Sequence, residues 1–134
     1  MNTGEVLTGI IIEEITGEMI ENYAKASGDD NSIHLDDASA EKAGFPHAVA
    51  HGMWSMGVID ASIHRWFRGK PPIKELSTSF IKPLFKGDSL SIEGKVAKEE
   101  AGKFFVDIKG FNQHQTCVLK AKLVIGGSED DERK

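Results

Sequence analysis

Residues 51–67, HGMWSMGVIDASIHRWF, decide the fold. Met53, Met56, Ile59 or Asp60, Ile63 and Trp66-Phe67 recur three to four residues apart, the spacing that lines one face of an α-helix. Gly69 closes the pattern and Pro71-Pro72 follow it. Within it, Gly57 and Ala61 sit four apart, and such small side chains are expected to let a sheet's backbone come close. Beyond Pro72 the period changes to two. Leu90, Ile92 and Val96 alternate with polar residues; Phe104, Val106 and Ile108 do the same, and then Cys117, Leu119, Ala121, Leu123 and Ile125. Lys86-Gly87-Asp88, Glu99 to Gly102 and Asn112 to Gln115 are turn signals, each short enough to join antiparallel neighbours. A meander of strands and one long amphipathic helix must share a core, so the helix is expected to lie across one face of the sheet.

Upstream, Glu5 to Ile12 is rich in β-branched residues and reads as a strand. Thr16 can cap a short helix carrying Met19, Ile20, Tyr23 and Ala24, with Gly28 placed to stop it. Another brief helix is expected from Asp36 or Asp37 to Gly44. The chain has 134 residues, 40% of them apolar, which suits one domain over 1–126 followed by a charged tail over 127–134, expected to be disordered.

Composition excludes several classes. Sixteen basic and 21 acidic residues give a net charge of −5, which argues against a general affinity for nucleic acid or an anionic membrane. The single cysteine, Cys117, excludes an intrachain disulfide and any multi-cysteine zinc site, and it fits a reducing compartment. There is neither a membrane-length apolar run nor a basic-then-apolar signal pattern, so the expected location is the cytoplasm.

The densest polar stretch is Ser27 to His34, expected to be a loop, with an aspartate and a histidine five residues apart. Such a pair suits proton transfer, since imidazole titrates near neutrality and a carboxylate can take or hold a proton. The same residue types also build ordinary turns. Tyr23-Ala24-Lys25-Ala26-Ser27-Gly28-Asp29-Asp30-Asn31-Ser32-Ile33-His34, with Leu35-Asp36 and then Ala50-His51-Gly52-Met53, resembles the hydratase-2 motif of the MaoC-like family, (R)-specific enoyl-CoA hydratases of the hot-dog fold. The segment from Ser79 to Asp88 is similar to that family's strand and turn after the core helix.

The resemblance implies an α+β hot-dog fold: an antiparallel sheet of about five strands wrapped around the helix. It also implies reversible addition of water to a trans-2-enoyl thioester. Asp29 and His34 would hold one water between them, its oxygen adding to C3 while a proton reaches C2 on the same face. Gly52 would offer its backbone N–H to the thioester oxygen, where negative charge builds, helped by the dipole of the helix it begins. Asn31 stands with Gly52 on the substrate-binding side and is expected to shape the loop through its amide. Either acyl-CoA or an acyl-carrier-protein thioester is the substrate partner, with no redox cofactor and no metal, and a homodimer or higher homo-oligomer is implied. A small sheet with an open edge makes such pairing physically reasonable.

Ser32 stands where the family motif usually has proline, and Asp60 where some members carry a small polar residue. If Asp60 points into the acyl tunnel, its charge would disfavour long apolar chains. His47 and His51 are four apart, but Pro46 and Gly52 interrupt any shared helix, so His51 is read as structural, holding the loop that presents Gly52. Met53, Trp54, Met56, Trp66 and Phe67 are expected mainly in the core, and Cys117 as a buried thiol. Arg65, Arg68, Lys70 and Lys74 either meet phosphates of the thioester carrier or form a solvated helix end.

Overall fold

A computed structural model describes residues 1–69 and 71–127. The elements run β1 (Val6–Ile12), α1 (Gly17–Ser27), α2 (Ser32–Leu35), α3 (Asp37–Lys42), α4 (Gly52–Trp66), β2 (Ile73–Phe80), β3 (Leu90–Glu100), β4 (Lys103–Phe111) and β5 (Cys117–Gly126). All strand pairs are antiparallel, in the order β1-β3-β4-β5-β2. The expected five-stranded sheet around one long helix is therefore present, and the later three strands form the expected meander. The turn at Lys86-Gly87-Asp88, however, does not join sheet neighbours: β2 pairs with β5, and β3 pairs with β1. Between β2 and β3 the chain runs from the sheet's edge past β5 and β4, which a local turn signal cannot disclose.

The core lies between α4 and the sheet. Ser55, Val58, Ile59, Ser62 and Ile63 are the buried face of α4, against Leu90, Ile92, Val106, Ile108, Leu123 and Ile125. This face differs from the one read from apolar spacing, because Met53 is 65% exposed and Asp60 is exposed, while two serines point inward. The physical reason is a bulge in β1, where the register with β3 shifts between Thr8 and Ile11. The backbone groups released there find partners on α4. Ile10 N–H donates to Ser62 Oγ at 2.9 Å, Arg65 Nη1 donates to Gly9 O at 3.2 Å, and Trp66 Nε1 donates to Thr8 O at 2.9 Å. Polar side chains of α4 thus give hydrogen-bond partners to main-chain groups around the β1 bulge.

Close approach also sits elsewhere than expected. Gly57 and Ala61 are exposed, and nothing stands within 4 Å of where a Gly57 side chain would begin. The glycines that admit the helix are on strands: a Cβ at Gly9 would stand 2.6 Å from Ser62 Oγ, and one at Gly94 would stand 2.8 Å from the Trp66 ring. Phe67 is buried as expected, and Trp54, Met56 and Trp66 pack at the core's margin. Cys117 is half-buried rather than buried, its Sγ 3.3 Å from Leu119 O. The tail over 128–134 and Lys70 lie outside the described residues.

Candidate active site

The polar stretch after α1 folds by its own side chains. Thr16 Oγ1 accepts from Met19 N–H to start α1, and Gly28, at φ 80°, ends it in the left-handed conformation that glycine takes without strain. From there each polar side chain accepts an N–H two residues on: Ser27 Oγ from Asp29 at 3.2 Å, Asp29 Oδ1 from Asn31 at 3.4 Å, Asn31 Oδ1 from Ile33 at 3.2 Å. The last of these caps α2, so His34 stands on a one-turn helix instead of the expected loop. Asn31 acts through its carboxamide oxygen on nearby backbone. Ser32 occupies the first helical position of α2.

Residues 48–50 link this turn to the rest. Val49 N–H donates to Ile33 O at 2.9 Å, Ala50 N–H to Leu84 O at 2.8 Å, and Lys86 N–H to Ala48 O at 2.8 Å. Nearby, the Lys86 ammonium lies 2.9 Å from the Asp37 carboxylate, which also accepts from Ala48 N–H at 2.8 Å. Those contacts, Lys86 first, hold the Asp37 carboxyl below the ordinary carboxylate range.

Asp29 and His34 come together as the sequence suggests. His34 Nδ1 lies 2.6 Å from Val49 O, and because a carbonyl only accepts, the ring hydrogen belongs on Nδ1. Nε2 then carries the lone pair, and it faces Asp29 Oδ2 at 3.8 Å. That is too far for a direct hydrogen bond and suits one bridging oxygen: a water about 2.7–2.8 Å from each atom subtends an angle of about 90°. Asp29 is the more open partner, with 56% of its side chain exposed against 12% for His34.

A cavity of about 420 Å³ joins the two groups to His51, Gly52, Met53 and Phe80. Gly52 is the first residue of α4, so its N–H belongs to the unpaired set at that helix start. His51, 3% exposed, stacks on His34 with ring centroids 3.8 Å apart and an interplanar angle of 22°. Its Nε2 lies 2.8 Å from Asp29 O. Met53 is pocket wall, contrary to its expected place in the core, and Phe80, which the sequence placed only in a family-like strand and turn, is the facing wall. Asp60 does not enter this cavity; it is exposed on the outer side of α4, 3.5 Å from His64.

Two further hollows adjoin. Gly52 and Phe80 also border a cavity of about 380 Å³ walled by Leu84, Val118 and Leu119, with Ser55 in its lining. Ser55 is 3% exposed and its hydroxyl has no hydrogen-bond partner among the described residues. A larger groove of about 510 Å³ reaches His34 from the α1 side, between Lys25 and Lys86, but it contains neither Asp29 nor Gly52. Asp29, His34 and Gly52 share only the cavity of about 420 Å³ among these three. Asp29, His34 and His51 bring donor atoms within 4.8 Å of one another. With His51 Nε2 spent on a carbonyl, the open pair is Asp29 Oδ2 and His34 Nε2, an arrangement suited to one water.

Comparison with known proteins agrees with this fold. The family description "MaoC like domain" matches residues 3–115. A mitochondrial 3-hydroxyacyl-[acyl-carrier-protein] dehydratase of Arabidopsis thaliana is 29% identical over 89% of this chain and 72% of its own length. A 3-hydroxybutyryl-CoA dehydratase of Methylorubrum extorquens is 30% identical over 69% of this chain and 59% of its own. Among solved structures, the unliganded R-hydratase PhaJ1 of Pseudomonas aeruginosa superposes with a TM-score of 0.84 at 27% identity, covering 96% of this chain and 83% of that one. This chain thus spans under three-quarters of the first relative and about three-fifths of the second.

Proposed function

Since the chain belongs to the MaoC-like family, we propose that it is a hydro-lyase, an (R)-specific 2-enoyl-thioester hydratase that also runs the reverse dehydration of the 3-hydroxyacyl thioester. The observation that carries this reading is the 3.8 Å gap between Asp29 Oδ2 and His34 Nε2, both acceptors, in the cavity that α4 enters with Gly52. A water held there donates one O–H to each group and turns its lone pairs toward the substrate. Asp29 or His34 takes one proton as the oxygen bonds to C3. The electron pair of the C2–C3 double bond moves onto the thioester oxygen, where Gly52 N–H and the start of α4 stabilise it. The group that took the proton returns it to C2 on the same face, and a carboxylate and a neutral imidazole are restored. Atoms and charge balance without a redox cofactor or a metal.

The apolar cavity beyond Gly52 and Phe80 receives the acyl chain. Two copies of the chain assemble through the open side of β2, which pairs only with β5. Met53, Phe80 and Ile81 are 65%, 52% and 47% exposed there, beside the candidate site, and pairing would cover them. The thioester carrier is CoA or an acyl carrier protein. No helix among the described residues is long and apolar enough to cross a membrane.

The test is an assay with crotonyl-CoA, following loss of the enoyl ultraviolet absorbance and resolving the product's stereochemistry, alongside the matching carrier-protein thioester. (R)-3-hydroxybutyryl product supports the reading. Binding without loss of absorbance would mark a non-catalytic acyl-CoA binder and overturn it.

A further inference from the structure

His51 has no step in the chemistry above, yet it touches both groups that do. We propose that His51 is a positioning residue, holding Asp29 by its main chain and His34 by its ring in the relation that lets them share one water; this rests on the hydro-lyase reading. Asp29 O only accepts, so His51 presents Nε2–H to it at 2.8 Å. Among the described residues this is the one hydrogen bond that ties 28–31 to a distant part of the chain; the others run to near neighbours in sequence, within 23–34. The Asp29 side chain does not supply the tie, being half in solvent with one hydrogen bond, from Asn31 N–H at 3.4 Å, and its 3.8 Å approach to His34, both within the same turn.

The other side of the ring argues the same way. His51 Nδ1 is buried with no hydrogen-bond partner among the described residues. A buried polar atom left unpaired destabilises a fold. A phenyl ring in this space would stack on His34 and meet Tyr23, whose ring centroid is 4.8 Å away, with no unpaired nitrogen of its own. It would lack only the Nε2 donor. The position therefore accepts an orphaned nitrogen in order to keep the opposite one. Because His51 also immediately precedes Gly52, one buried ring fixes the base pair and the oxyanion donor relative to each other. Displacement of reacting groups by about 1 Å is enough to cost about a hundredfold in rate.

The experiment compares His51→Phe, which keeps the ring and removes the donor, with His51→Gln, which keeps a donor at similar reach and removes the ring. With circular dichroism showing both folded, His51→Phe is expected to lower kcat about tenfold to a hundredfold while KM changes little. His51→Gln is expected to recover part of the loss. A kcat for His51→Phe within twofold of the parent, or a His51→Gln variant no better than His51→Phe, overturns the proposal. Should His51→Phe fail to fold, nitrogen NMR of the parent decides: a slowly exchanging Nε2–H tautomer at His51 is expected, and the Nδ1–H tautomer overturns it. Asp29→Asn measured in parallel separates the two levels. Its loss of turnover beside an unaffected His51→Phe refutes this inference alone, whereas turnover retained in Asp29→Asn refutes the reading beneath it.

Discussion

Replacing Asp29 with Asn removes a proton acceptor while leaving an oxygen of the same size in place. General-base catalysis contributes about a hundredfold to ten-thousandfold, which at about 1.36 kcal/mol per decade is about 2.7–5.4 kcal/mol of barrier. The fold should hardly notice. Asp29 is 56% exposed at its side chain and accepts one long bond, from Asn31 N–H at 3.4 Å, so the change in stability is expected within about 0.5 kcal/mol. The geometry makes a sharper demand. Asp29 Oδ2 and His34 Nε2 are 3.8 Å apart, and on the proposed reading they act on one water, so their losses must not multiply. Asp29→Asn and His34→Gln should each lose about a hundredfold to ten-thousandfold in kcat, and the double variant no more than about tenfold beyond the worse single. The assay is enoyl absorbance on crotonyl-CoA, with thermal unfolding of each variant measured alongside. A double variant whose loss equals the product of the singles would mean that the two residues serve separate events, and the shared-water reasoning would fail.

Other residues give independent checks. Ser62→Ala strands the Ile10 N–H and should cost about 1–3 kcal/mol in denaturant unfolding, because Ser62 is 0% exposed and bonded at 2.9 Å on both sides; unchanged stability would show that the β1 bulge pairs some other way. Ser32→Pro should stabilise by about 0.4–1 kcal/mol with turnover kept. Ser32 is the first residue of α2, where proline suits a helix, and Asn31 at φ −54°, ψ 131° already has the extended backbone that proline asks of its predecessor. A lowered melting temperature would count against the helical geometry at 32. Asp37 titrates below the ordinary carboxylate range when folded, so its contribution is present above that range and is lost as pH falls through the lowered value. Asp37→Asn should therefore be less stable than the parent at neutral pH, with the gap closing only under strongly acid conditions. A gap that persisted there would assign the effect to something other than the Lys86 contact.

How much was legible follows the range of the interactions involved. The caps at Thr16, Gly28 and Asp36, the span of α4 and the meander of β3, β4 and β5 follow from residues within a few positions of one another, and each stands where the sequence places it. The Ser27 to His34 stretch was legible as turn chemistry because its hydrogen bonds are local, though that same ladder continues one residue further and makes α2. The buried face of α4 was misread because Ser55 and Ser62 do not score as apolar, and what makes Ser62 inward-facing is a bulge fifty-two residues earlier in the chain. Met53 looked like core for the converse reason: it is apolar and in phase with the helix pattern, yet it is 65% exposed at the wall of the cavity.

By itself the sequence determined the spans of β1, α1, α4, β3, β4 and β5, because propensity, capping and turn formation are decided by short-range sterics and hydrogen bonding, and its resemblance to a family pointed to Asp29 and His34 as the candidate pair. The tertiary structure alone decided that the chain crosses from β2 to β3 past β5 and β4, that Val49 O sets the tautomer of His34, and that Phe80 closes the cavity opposite Gly52. Those are relations between backbone and side-chain atoms far apart in sequence. They exist only once burial of the α4 face against the sheet has brought residues 29, 34, 49, 51 and 80 into one place.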